Sequence, residues 1–308
     1  MKIGISSIAS GPYRLRGWLL KQPLFTSTVL PAIPRPLRWM LRKLYFLPVD
    51  LIERLLGRRD PLVPPKSQIF TGSVDGFASS GRTLVERLVA LKVLTPDAKV
   101  LDIGCGNGRL AAALTPYLSD AGCYEGLDIV PSGIEWCKKH ISLQYTNFAF
   151  QLADIYNKEY NPHGKLSASE YVFPYSDNTF DLVVLISVFT HMLPADMEHY
   201  VAEIARMLSP NGKCFATYFL MNGGSLTLME SSESSLRFKH RVDPYWLVNA
   251  KTPELSVGYD EPYVVDLYNK NDLLTEGGIY YGGWCGRPPF WSHESGLGDQ
   301  DVVLATKA

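Results

Sequence analysis

Several things are missing from this chain, and each absence narrows what it can be. The five cysteines, Cys105, Cys123, Cys137, Cys214 and Cys285, include no Cys-x-x-Cys pair, and no closely spaced histidine pair accompanies them. That argues against a structural zinc site, so no metal is expected. The odd, scattered count fits reduced thiols in a cytoplasmic protein better than a secreted disulfide framework. No uninterrupted apolar run reaches the ~20 residues that a membrane-spanning helix needs. The beginning of the chain has no long apolar run followed by a small-residue cleavage site, so no secretory leader is expected. Internal repeats and low-complexity tracts are also missing.

The remainder is ordinary globular material: 308 residues, 46% hydrophobic and 20% charged, enough to bury a core without cross-links. The charge is unevenly placed. Residues 1–66 carry 12 Lys/Arg against 3 Asp/Glu, a net +9, while residues 67–308 carry 18 against 28, a net −10. A basic N-terminal arm (1–66) therefore precedes an acidic body (67–308). An acidic body is unsuited to broad contact with nucleic-acid phosphates, so no nucleic-acid partner is expected.

Within the arm, Leu37, Met40, Leu41, Leu44 and Leu47 recur at helical spacing, with Arg38, Arg42 and Tyr45 on another face. Pro48 is expected to interrupt this helix, and a second short stripe follows at Val49, Ile52, Leu55 and Leu56. Basic side chains on one side and leucines on the other, with Trp18 and Trp39 nearby, read as an interfacial helix pair over 35–59 in peripheral contact with a membrane. Packing of the same stripe on the body or on a second subunit is the equal alternative. The oligomeric state is left open.

From residue 67 onward, strand and helix patterns alternate. Strands are expected at Lys99–Ile103, 122–129, 148–153, 180–187 and 213–220, with helices at 81–93, 109–118, 131–140 and 198–208 between or before them. A helix near 262–270 and two late strands, 277–283 and 301–306, follow. Such alternation builds a doubly wound α/β sheet, which binds ligands at the carboxyl ends of its strands.

At the end of the first of those strands stands Asp102-Ile103-Gly104-Cys105-Gly106-Asn107-Gly108-Arg109, with glycine at every second position and a helix behind it. Glycine admits positive φ and close ligand approach, and the helix start offers free N–H groups. A nicotinamide or flavin site would need G-x-G-x-x-G, and Arg109 completes neither register. Twenty residues past Gly108, Asp128 ends the second strand, where its carboxylate can accept from both hydroxyls of a ribose. Asp154 ends the third strand, placed to accept from an adenine amino group.

This series resembles the cofactor site of class I S-adenosylmethionine-dependent methyltransferases. Phe173-Pro174 and Phe180-Asp181-Leu182-Val183-Val184 resemble that family's fourth strand and its lead-in. Leu208-Ser209-Pro210-Asn211-Gly212-Lys213 resembles its turn before the fifth strand, with Asn211 in place of a glycine. Asn tolerates the left-handed conformation, so the turn is expected to survive. The resemblance implies S-adenosylmethionine as cofactor, held by Asp102, Gly104, Cys105, Gly106, Gly108, Asp128, Ile129, Asp154, Ile155 and Ser187. It also implies a Rossmann-like sheet of seven strands in the order 3-2-1-4-5-7-6, the last antiparallel. Segments 58–65, 135–137 and 281–288 look like a bacterial small-molecule subgroup.

The acceptor is expected beyond the fourth strand, near Ser187-Val188-Phe189-Thr190-His191. Relatives that methylate base amines or protein glutamine usually carry Asn-Pro-Pro-Tyr there, and this chain does not. His191 is the candidate general base, because imidazole titrates near working pH; a purely structural histidine is the competing reading. The tyrosine-rich connection 156–175 and the insertion 221–261, with a small hairpin over 236–240 and 245–248, are candidate lids. The function expected is methyl transfer to a hydroxyl of a small molecule such as a lipid, glycan or secondary metabolite. A non-catalytic cofactor-binding or membrane-associated scaffold is the alternative.

Overall fold

The computed structural model describes residues 35–70, 72–158, 160–230, 234, 236–291 and 299–308. The chain divides into two compact units. The described residues of the first are 35–59 and 65–68. The second holds 60–64 and the described residues from Ile69 onward.

The first unit contains one helix, α1 (Arg35–Leu55), which continues through Pro48 where a break was expected. Proline removes the N–H that would pair with the carbonyl of Leu44. Both residues are exposed, so water can take that carbonyl, and the helix survives the lost bond. Phe46 and Asp50 form the buried side of α1. The Arg42 guanidinium lies 5.4 Å from the Phe46 ring centre. The two Asp50 carboxylate oxygens accept from the backbone N–H groups of Lys66 (2.7 Å) and Ser67 (3.1 Å), tying the helix to the 65–68 segment.

The second unit begins with α2 (Phe77–Ala90), β1 (Lys99–Ile103), α3 (Arg109–Leu114), β2 (Cys123–Asp128), α4 (Pro131–Cys137) and β3 (Phe148–Leu152). It continues with β4 (Phe180–Leu185), α5 (Pro194–Met207), β5 (Leu208–Tyr218), β6 (Leu220–Met221) and α6 (Gly223–Met229). Then come β7 (His240–Val242), β8 (Tyr245–Leu247), β9 (Val257–Asp260), α7 (Glu261–Lys270), β10 (Leu273–Leu274), β11 (Ile279–Tyr280) and β12 (Asp301–Lys307).

The main sheet runs β10-β12-β5-β4-β1-β2-β3, with β11 also paired to β12. The neighbours from β3 through β5 pair in parallel, and β12 lies antiparallel to β5. This is the expected order, with one difference. The expected sixth strand is two short strands, β10 and β11, which meet opposite ends of β12. A 3-10 turn over Thr275–Gly277 and Gly278 at φ +105° separate them, a backbone that a straight strand cannot follow.

Both faces of this sheet are covered, and the strand sequences show it. Leu101 and Ile103 belong to one apolar cluster with Val201 and Ile204 of α5, while Val100 belongs to the other with Leu84 of α2 and Leu110 of α3. Successive side chains point to opposite faces, so a strand buried on both sides reads as a continuous apolar run. The turn before the main run of β5 places Asn211 at φ +64°, the left-handed conformation its sequence was expected to allow.

The insertion is more than the expected hairpin. It forms a second sheet in the order β6-β9-β8-β7, and the hairpin itself pairs β7 with β8, so its first arm falls later than expected. Buried Asp301 fastens this sheet to the main one. Its carboxylate accepts from the Leu220 N–H (2.8 Å), the Gly282 N–H (2.8 Å) and the Trp284 indole N–H (2.7 Å). Trp284 packs in turn against Phe219 and Phe238.

Candidate active site

A cavity of about 430 Å³ opens at the carboxyl ends of the central strands, where a parallel sheet is expected to bind. β1 delivers the glycine turn to it. Gly104, Gly106 and Gly108 all have positive φ, at +82°, +59° and +78°. A Cβ on Gly104 would stand 2.5 Å from Val188 Cγ2, and one on Gly108 would stand 2.9 Å from Cys137 Sγ. The alternating glycines are therefore required twice, by conformation and by space.

Asp128, at the end of β2, clasps this turn. One carboxylate oxygen accepts from the Gly106 N–H at 2.7 Å and the other from the Val130 N–H at 2.8 Å. Burial pushes its carboxyl up to about 6 despite these donors. Asp102 is buried beside it and accepts from the Tyr124 hydroxyl at 2.6 Å; burial again raises its carboxyl to about 6. An ionised carboxylate offers about four acceptor positions, so Asp128 retains acceptor capacity beyond its backbone donors Gly106, Val130 and Ile129. Asp128 also lines the cavity, beside the apolar side chains of Ile129 and Ile155. Two carboxylates, an apolar slot and open glycine backbone fit a nucleoside carrying a positive charge. Arg109, also in the wall, suits the carboxylate of an amino-acid tail.

The loop after β4 supplies the other side. Ser187 adopts φ +59°. Its backbone N–H donates to the Thr217 hydroxyl at 2.7 Å, and its own hydroxyl donates to Gln300 at 3.0 Å. His191 follows on a short 3-10 turn. Its Nδ1 lies 3.0 Å from the Glu254 carbonyl oxygen. A carbonyl can only accept, so Nδ1 carries the proton and Nε2 holds the lone pair of the neutral ring. Burial lowers the His191 pKa, against the Glu254 and Leu255 backbone carbonyls, which favour the charged ring. The Tyr160 ring meets it edge-on at 6.5 Å.

Of the residues expected at the site, Asp102, Gly104, Cys105, Asp128, Ile129, Ile155, Ser187 and His191 line one cavity. Gly106 and Gly108 shape the turn without lining the cavity. Asp154 stands apart. Its carboxylate is half exposed and lies 3.6 Å from the Lys165 ammonium. Its carbonyl accepts from the N–H groups of Lys165 and Leu166, because the chain folds back after residue 154. Sequence reasoning did not place Phe70, Arg109, Asp196, Tyr200 or Glu254 in this wall. Several of the added residues lie in segments that had a signal: Tyr156 and Tyr160 in the tyrosine-rich connection, Glu254 in the insertion 221–261, and Arg109 at the end of the glycine motif.

The methyltransferase-domain family matches residues 94–251, just over half of the chain. Among curated proteins, the chain is 26% identical over 153 residues to the methyltransferase GfsG of Streptomyces halstedii, covering 49% of this chain and 48% of that protein. It is 30% identical over 123 residues to the phthiotriol/phenolphthiotriol dimycocerosates methyltransferase of Mycobacterium leprae, covering 40% of this chain and 38% of that protein. It is 28% identical over 138 residues to the 27-O-demethylrifamycin SV methyltransferase of Amycolatopsis mediterranei, covering 45% and 44%. The chain thus spans less than half the length of each of these curated relatives.

Proposed function

This chain belongs to the methyltransferase-domain family, whose methyl donor is S-adenosylmethionine, and we propose that it transfers that methyl group to a hydroxyl of a small-molecule acceptor, a lipid, a glycan or a secondary metabolite. One observation carries the reading: the Asp128 clasp and an imidazole of defined tautomer face the same cavity. Two of the relatives point the same way, since they are named for phthiotriol lipids and for a rifamycin.

When bound, the cofactor supplies an electrophilic methyl on a sulfonium, so transfer forms a carbon–oxygen bond, breaks the carbon–sulfur bond and leaves the electron pair on sulfur. The residues of this chain position and deprotonate. Asp128 would accept from the ribose hydroxyls, Ile129 and Ile155 would supply apolar walls for the adenine, and Arg109 would pair with the tail carboxylate. His191 Nε2 takes the acceptor's proton as its oxygen becomes an ether, and the Glu254 carbonyl holds the ring for that task and steadies the imidazolium. Tyr156 and Tyr160, both exposed at the rim, contact the part of a bulky acceptor that stays outside, so only its reacting end has to enter.

The test is transfer of labelled methyl from S-adenosylmethionine into a small-molecule extract by the full-length protein. Label should appear in a base-stable ether fraction, and its rate of appearance should fall by about 10²–10⁴ with His191→Ala. A protein that binds S-adenosylhomocysteine yet labels nothing would instead be the non-catalytic scaffold.

A further inference from the structure

The expected apolar stripe of α1 faces outward. Nine of the twenty exposed large apolar side chains among the described residues lie between Leu37 and Leu56. Leu44 is 57% exposed, Leu47 58% and Leu55 77%. At 100° per residue, the stripe from Leu37 to Leu55 spans an arc of about 140°. The opposite arc holds buried Phe46 and Asp50. An ordinary surface helix has the reverse arrangement, polar outside and apolar inside. A contiguous exposed apolar face of this kind marks an interaction surface.

The charges around the face say what covers it. Residues 35–59 hold seven Arg/Lys and two acids, Asp50 and Glu53. Both acids turn towards the 65–68 segment, Asp50 to the N–H groups of Lys66 and Ser67, and Glu53 to the Lys66 ammonium at 3.3 Å. Exposed Lys43 and Arg54 flank one edge of the apolar arc, and exposed Arg58 lies past its end. No acidic side chain interrupts the face.

A second copy of this chain fits badly. Antiparallel pairing of two α1 helices about the middle of the stripe, near residue 46, lines up Lys43 and Arg54 of both copies along the same edge at axial spacings of roughly 7–9 Å, and like charges there repel. A surface of negative charge over hydrocarbon fits both features. Leucines enter the acyl boundary while the cations stay among the headgroups. Among the described residues no helix is long and apolar enough to cross a membrane, so α1 lies in the interface plane.

We propose that α1 docks the protein on an anionic lipid surface through the face formed by Leu37, Met40, Leu41, Leu44, Leu47 and Leu51. The docking depends on no step of methyl transfer. It brings the enzyme to where an apolar acceptor would be dissolved.

The experiment uses the full-length protein and its sedimentation with vesicles of phosphatidylcholine, alone or mixed with phosphatidylglycerol. Binding should require phosphatidylglycerol and weaken as salt rises. Lys43→Gln with Arg54→Gln should reduce the partition coefficient by roughly thirtyfold, from two lost cations. Leu44→Glu with Leu51→Glu should abolish binding. Both pairs are exposed, so each variant should keep its melting temperature and its S-adenosylhomocysteine affinity. Absence of wild-type binding to the mixed vesicles overturns the proposal, as does binding that ignores both variants. A lipid-free dimer that the Leu→Glu pair converts to monomer assigns the face to a second copy and overturns it as well. A lower melting temperature for that pair without vesicle binding assigns the face to another segment of this chain and likewise overturns the proposal.

Discussion

Asp128→Asn separates two tasks of one carboxylate. The native side chain accepts from Gly106 N–H at 2.7 Å on one oxygen and from Val130 N–H at 2.8 Å on the other, with the Ile129 N–H a further backbone donor. An asparagine in the same position has one acceptor oxygen, and its amide nitrogen faces the other N–H, donor against donor. A buried donor left without an acceptor costs about 1–3 kcal/mol. In a unit of roughly 240 residues that lowers the melting temperature by about 2–12 °C, at about 2–4 °C per kcal/mol. In the proposed binding mode the same substitution should also remove a charge-assisted bond to a ribose hydroxyl, a further loss of about 1–3 kcal/mol in binding, or roughly five- to 150-fold in affinity. Thermal unfolding without ligand reads the first effect, and calorimetric titration with S-adenosylhomocysteine reads the second. Asp102→Asn is the comparison, because Asp102 accepts from the Tyr124 hydroxyl and not from the glycine turn. If Asp128→Asn melts lower but binds S-adenosylhomocysteine with native affinity, the carboxylate only builds the turn, and the assignment of Asp128 to the ribose is wrong.

Three further outcomes follow from the same geometry. His191→Ala should lower the rate of methyl transfer by about 10²–10⁴ while leaving S-adenosylhomocysteine affinity nearly unchanged, if the ring serves the acceptor as proposed; a steady-state assay beside a titration checks the split. Affinity for S-adenosylhomocysteine should fall as pH drops through about 6, because burial holds the Asp128 carboxyl at that value and only its ionised form accepts from both hydroxyls. Binding lowers that pKa, so titrations near pH 6 in buffers of different ionisation enthalpy should show proton release. Gly104→Ala should destabilise the fold by more than about 1 kcal/mol, given φ +82° and the 2.5 Å approach of Val188 Cγ2; chemical denaturation measures it, and a neutral substitution would show that the turn is not held as described.

The sequence was most informative where one short stretch decides its own structure. β1 is a run of apolar residues ending in alternating glycines, and neither feature needs a distant partner to be recognised. Asn211 announced a left-handed turn for the same reason. Expectations drifted where distant contacts decide. Pro48 reads as a break in isolation, and the helix tolerates it where Leu44 and Pro48 both lie on its exposed side. The sixth strand reads as one segment, but the turn at 275–278 divides it, and each half finds its own length of β12. Asp154 stands two residues past β3, and the chain folding back over 161–166 engages its carbonyl and sets Lys165 beside its carboxylate.

The acceptor side of the cavity shows the limit most clearly, and the reason is chemical. Glu254 positions His191 through a backbone carbonyl, a group that every residue carries, so no side-chain pattern could have singled out position 254. It reaches the cavity because the β8–β9 connection of the small sheet returns it there, and that sheet is fixed to the main one by Asp301, which binds two backbone N–H groups and one indole. Each link in this chain is a long-range contact made by a common group. The cofactor side needs rare features in one place: three glycines at positive φ and a buried carboxylate at a strand end. Such features are scarce in sequence and therefore legible. The opposite side of the cavity is assembled from the loop after β4 and the β8–β9 connection, segments brought together only by tertiary contacts.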